Sequence, residues 1–187
     1  MKNKSPFAVP VVPSDLEARR TKLRADLALA RPEFHNLVGS IPEQAWNEPS
    51  HNAGWTNGQL VFHIFLGFIL VRPLSVLLIL FGQLPETFSR FFAGILNFAT
   101  PLFNQINVIG PRFGARLLGR GGIVHKFDQV HDALLTQVNR LQPRYWIMTM
   151  RYPTRWDPRF KGDMRLEDLF RYPIAHLRHH RAQLRTM

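Results

Sequence analysis

The residue pair with the clearest chemical spacing in this sequence is His176 and His180. Four residues apart on a helix, their side chains stack on one face and converge, so the two imidazoles could chelate one cation. Ring nitrogens suit Zn, Ni, Fe and Cu, and a site with three protein ligands keeps a position open for water or substrate. The intervening Leu177, Arg178 and His179 omit the Glu of a His-Glu-x-x-His signature. A plainer reading of the run from His176 to Leu184 is a solvated basic helix end, where positive charge complements the helix dipole. His63 lies in an otherwise apolar stretch, where a solitary His is more often a hydrogen-bonded core residue than a ligand.

Other polar residues have weaker chemistry. His179 follows one step before His180 and points about 100° away from it on a helix, toward the outer surface or the shell around a ligand. Gln183 falls seven residues after His176, on the same face, where it could hydrogen-bond a ligand His or bound water, or simply be exposed. Asp157 could accept from a ligand imidazole, but between Trp156 and Pro158 a turn-capping role is favoured. His35, His51, His125 and His131 lack a partner at chelating spacing and read as surface or structural. Asp128 and Asp132 read as a solvated face beside Lys126 rather than a carboxylate dyad. Ser75 and Ser89 lack a nucleophile-elbow context. The chain has no Cys, so thiolate ligands, disulfides and a Cys nucleophile are excluded, and thiol chemistry would need a thiol from outside.

Helices must position these groups. Ser14 and Glu17 have capping-box spacing ahead of apolar residues at Leu16, Leu23, Leu27, Ala30, Phe34 and Leu37, which predicts an amphipathic helix kinked or split at Pro32 and ended near Gly39. Residues 42–54 read as a loop. Thr56 and Gln59 repeat the capping-box spacing and start a second helix that carries His63. The chain from Val61 to Phe81 is almost wholly apolar, yet His63, Arg72 and Pro73 within it favour a buried bundle helix broken near Pro73 over a membrane span. A membrane-surface role stays open, because an all-round apolar helix is either core or lipid-facing.

Phe88, Phe91, Phe92, Ile95, Ala99, Leu102 and Ile106 keep helical spacing and are expected in the core, as are Val124, Phe127, Val130, Leu134, Val138 and Leu141. Between the two stripes, five Gly and one Pro from Gly110 to Gly122 predict a turning connector without a phosphate-loop signature. Residues 142–162 predict a long ordered loop, and the last helix starts near Leu166, with a kink or restart at Pro173.

The 187 residues fit one domain, expected to span residues 14–187 behind a flexible lead at 1–13. The +11 formal charge comes from 19 Arg and 5 Lys scattered among acids, which disfavours a nucleic-acid footprint. No secretory pattern opens the chain, and a cytoplasmic location is expected.

The pattern Trp55-Thr56, Gln59 and His63, with His176, His179-His180 and Gln183 near the end, resembles the DinB-like superfamily. There a Trp-Ser/Thr helix start leads to a first His, and the final helix carries His, three residues, His and a nearby Gln. The segment from Tyr152 to Pro158, followed by Phe160 and Met164, is similar to a subgroup with Trp-Asp-Pro ahead of the last helix. The resemblance implies an all-α four-helix bundle, here with a Phe-rich helical insertion and a long loop before the last helix. It also implies a divalent metal (Zn, Ni or Fe) on His63, His176 and His180, serving thiol-dependent transfer or isomerisation, or hydrolysis.

Within that frame Gln183, His179 and Asp157 would surround the ligands, and Arg155 or Arg178 could pair with a small anionic substrate. No residue is assigned a catalytic role. The insertion from Pro73 to Gly122 departs from the family pattern; it could cap the open coordination position, but core packing is favoured for its Phe residues. The alternative is a noncatalytic metal-binding helical module, dimeric or membrane-associated.

Overall fold

A computed structural model describes residues 13–185 except 53, 158, 159 and 161, with backbone alone at Pro13 and Ser14. The expected lead at 1–13, apart from the Pro13 backbone, and the Ser14 cap lie outside the described residues. The order is α1 (Pro13–Gly39), α2 (Asn57–Phe81), α3 (Glu86–Phe98), α4 (Thr100–Arg140), α5 (Pro143–Trp146), β1 (Thr149–Arg151), β2 (Asp163–Arg165) and α6 (Leu166–Arg181). The fold is all-α, with one small antiparallel β1–β2 ribbon among the described residues. In the bundle α1 and α2 each pack against both α4 and α6.

Periodicity explains the bundle. Leu23, Leu27, Ala30 and Phe34 of α1 are fully buried, as are Ile123, Phe127, Leu134 and Val138 of α4. Phe127 is the hub: its ring stacks on Phe34 at 3.9 Å and meets Phe68 of α2 edge-on at 5.0 Å. Each such side chain contributes about 1.5–3 kcal/mol by leaving water. Thr56 caps α2 as expected, its hydroxyl accepting from Gln59 N–H while Gln59 Oε1 accepts from Thr56 N–H.

Four expectations are corrected. No helix is split at Pro32, broken at Pro73 or restarted at Pro173, since all three lie inside continuous helices. Around Pro73 packing overrides the lost backbone bond: Val71, Ser75 and Leu78 are buried, Ser75 Oγ donates to the Arg72 carbonyl at 2.7 Å, and Gln137 Nε2 of α4 donates to Ser75 Oγ at 2.7 Å. The Gly-rich segment 110–122 is helical rather than a looped connector. Its bend is confined to Gly119, at φ 60° and ψ −178°, a conformation that favours glycine. Arg120, next along, turns back to donate to the Val38 carbonyl at the end of α1, to the Ile41 carbonyl just beyond it and to Glu43 at 2.9 Å.

The third correction concerns the Phe-rich stripe. It is divided at Ala99 between α3 and α4, and Phe88, Phe91, Ile95, Leu102 and Ile106 are exposed rather than core. Fourth, residues 142–162 form more than a loop, since α5 and β1 lie within them and β2 closes the ribbon, burying Trp146, Met150, Tyr152 and Met164. By length and composition α2 is apolar enough to cross a membrane. Here it packs between α4 and α6 and carries His63 inward.

Candidate metal centre

α2 and α6 bring His63, His176 and His180 together. All three are buried, and one ring nitrogen from each lies within 4.8 Å of the others. The ring centroids form a near-equilateral triangle with sides of 4.7, 4.9 and 4.5 Å. His63 Nε2 and His176 Nε2 are 3.1 Å apart, close to the roughly 3.3 Å edge of a tetrahedral site with metal–nitrogen bonds of about 2.0–2.1 Å. The donor set and its geometry therefore fit a divalent cation.

The surroundings hold each ring. Trp55, immediately before the α2 cap, packs on His63 with centroids 4.5 Å apart, which accounts for the Trp-Thr start as a wall of the site. Tyr172, one turn before His176, stacks on it at 5.5 Å. His180 Nδ1 donates to Gln183 Oε1 at 2.6 Å, which places the ring's lone pair on Nε2. Gln183 is fixed in turn: Asn52 Nδ2 donates to the same oxygen at 2.9 Å, and His51 N–H donates to the Gln183 carbonyl at 2.8 Å. A loop 131 residues upstream of Gln183 thereby sets the orientation of a ring on the last helix.

Burial, reinforced by the neighbouring His180, pushes His63 down from 6.5 to about 3, while the Asn107 side chain and Asp157 work against the shift. The ring is thus neutral near pH 7, the state in which imidazole nitrogen binds a metal.

A cavity of about 250 Å³ opens beside the three rings. The insertion supplies part of its wall: Phe103 and Asn107 of α4 line it, and Phe103 stacks on Trp156 at 4.0 Å and 7°. Trp156 Nε1 donates to the Leu96 carbonyl of α3 at 2.9 Å, and Arg155 N–H to Asn97 Oδ1 at 3.2 Å, tying the Trp156-Asp157 segment to the insertion. Phe103 therefore lines this cavity, whereas core packing was expected for the Phe residues of the insertion. Asp157, expected chiefly to cap a turn, also lines the cavity, where its Oδ2 accepts from the Tyr172 hydroxyl at 2.9 Å.

Not every expected residue arrives. Arg178 is paired outside the site with Glu33 of α1, at 2.8 and 3.1 Å, and Arg155 is exposed; neither lines the cavity. His179 is exposed at the rim, its ring 4.8 Å from that of His180. Of the remaining histidines, His131 is buried and hydrogen-bonded to the Leu27 carbonyl at 2.7 Å, and His35 meets Asp128 at 2.8 Å. Asp128 and Asp132 both pair with Arg31.

Sequence reasoning missed Gly67, Asn107, Phe103, Tyr172 and Asn52. Gly67 alone had a usable signal: a glycine inside an apolar helix, four residues after His63, marks a close approach. A Cβ there would stand 3.0 Å from His176 Nδ1.

No curated protein and no solved structure matches the chain significantly. A family model described as the DinB superfamily matches residues 26–184, from within α1 to just past α6, and the chain belongs to the DinB superfamily.

Proposed function

We propose that the protein is a divalent-metal-dependent enzyme acting on a small substrate in the cavity beside the three histidines. The observation that supports this reading is the coincidence of three converging imidazoles with an aromatic-walled cavity that also contains a carboxylate. His63, His176 and His180 would hold the ion. When bound, it supplies Lewis acidity toward a substrate oxygen or lowers the pKa of a bound water.

The chain's own residues have separable tasks. Gln183 and Asn52 keep Nδ1–H of His180 engaged, which selects the tautomer with Nε2 as donor atom. Phe103 and Trp156 form a flat apolar wall against which an unsaturated or aromatic part of a substrate could lie, and they exclude water from that side. Asp157, oriented by Tyr172, offers a carboxylate oxygen to accept a proton or hydrogen bond from substrate. Arg155 and Arg178, the residues expected to pair with an anionic substrate, are not among the described residues that line the cavity.

Transfer or isomerisation with an external low-molecular-weight thiol, and hydrolysis, are the reactions to test. The thiol must be external because the chain has no Cys. A purely structural ion joining α2 to α6 is the competing reading, and the cavity beside the cluster argues against it, since structural sites are closed by protein ligands.

Elemental analysis of untagged protein, with His63→Ala, His176→Ala and His180→Ala beside it, tests the centre. About one equivalent of Zn, Ni or Fe is expected in the native chain and much less in each variant. Turnover of thiol conjugates or small esters should follow metal content. Full metal retention in all three variants would remove the basis of the reading.

A further inference from the structure

Thirteen of the fifteen exposed large hydrophobic side chains among the described residues fall between Val76 and Leu117. They are ordered by helical geometry. On α3, Phe88, Phe91, Ile95 and Phe98 recur at intervals of three and four, and on the first half of α4 the same spacing runs from Leu102 to Leu117. Phe91 is 72% exposed, Phe98 88%, Phe113 70% and Leu117 85%. Two adjoining helices thus each leave an apolar stripe uncovered, beyond what scattered surface hydrophobics would produce.

Charge selects the occupant. No acidic residue occurs between Glu86 and Asp128, whereas Arg90, Arg112, Arg116, Arg120 and Lys126 lie in that run. Arg90 is paired with Glu86, and Arg120 holds the end of α1. Arg112 and Arg116 are exposed, each one residue before a stripe position, so they border Phe113 and Leu117 at about 100° around the helix. An apolar stripe edged by arginine without acids matches an anionic lipid surface, where aromatic and aliphatic side chains enter the acyl boundary and guanidinium groups meet phosphate. A second copy is a poor match, since it presents the same acid-free arginines and the same +11 charge.

We propose that α3 and the first half of α4 form a docking face for anionic phospholipid bilayers. The face is on the insertion that also carries Phe103 and Asn107, so the same helices meet the membrane and wall the cavity. Docking places the bundle and its histidines at the lipid surface rather than within the bilayer.

Co-sedimentation of the full chain with vesicles tests this, comparing phosphatidylglycerol and phosphatidylcholine at 3:7 with phosphatidylcholine alone. At least tenfold stronger binding to the anionic vesicles is expected, weakened in high salt. The variant Phe98→Asp/Phe113→Asp should lose binding, and Arg112→Gln/Arg116→Gln, which keeps the stripe, should lose the preference for anionic lipid. Unchanged circular dichroism and zinc titration would show that either variant is folded. Absent binding, or equal binding to neutral vesicles, overturns the proposal. So does self-association that Phe98→Asp/Phe113→Asp abolishes without any vesicle affinity, and so does retention in the vesicles after carbonate washing, which would mean that the chain inserts.

Discussion

Gly67→Ala isolates the metal centre from the stability of the bundle. In the middle of a helix, Ala is favoured over Gly by about 1 kcal/mol, so the backbone of α2 gains from the change. The new methyl carbon, however, would stand 3.0 Å from His176 Nδ1 and 3.6 Å from Cε1 and Cγ. Restoring ordinary contact requires the ring to move by roughly 0.5 Å, since carbon contacts are optimal near 3.5–4.0 Å. Metal–ligand distances tolerate only about 0.2 Å, so the displacement takes His176 out of position relative to His63 and His180.

A loss of roughly 10- to 100-fold in zinc affinity follows, by analogy with removal of groups that orient a ligand. That equals about 1.4–2.7 kcal/mol, and the metal-induced gain in stability should shrink by the same amount. Zinc competition titrations and thermal melts with and without chelator measure the two effects. Metal-free Gly67→Ala should melt at or above the parent temperature. Gly94→Ala, at a helical position with open space, is the control that carries the propensity gain alone. Zinc affinity within twofold of the parent in Gly67→Ala would refute the close-approach argument.

Two further predictions concern the same centre. The fold holds His63 neutral, at about 3 against 6.5, so its contribution to metal-free stability is full above pH 6.5 and drains as pH falls toward 3. The total is on the order of 4–5 kcal/mol, at up to about 1.4 kcal/mol per pH unit. Burial lowers His131 too, adding the same sign. Urea midpoints between pH 4.5 and 7.5 should depend less on pH in His63→Gln, and an identical dependence would contradict the assignment. Gln183→Leu removes the acceptor for His180 Nδ1–H and should weaken zinc binding tenfold or more, whereas Gln183→Glu keeps an acceptor and should largely preserve it; equal affinities in the two variants would disprove the positioning role.

Local patterns were sufficient for much of the framework. Capping chemistry at Thr56 and Gln59, the stripe from Val124 to Leu141, and the start of α6 near Leu166 all depend on neighbours within a few residues. The same holds for the four-residue interval that puts His176 and His180 on one face. Family resemblance, rather than spacing, linked His63 to that pair before the fold brought the rings within 5 Å of one another.

The sequence by itself determined the helical class, the cap that opens α2, and the placing of His176 and His180 on one helix face, because periodicity and i to i+4 geometry are local properties. Only the tertiary structure decided that Pro73 stays inside a helix, that Arg178 goes to Glu33, that Asp157 faces the cavity, and that the Phe-rich stripes remain uncovered. An apolar stripe is written the same way whether a helix, a ligand or solvent lies opposite it. What covers it depends on packing between segments far apart in the chain, and no local spacing encodes that.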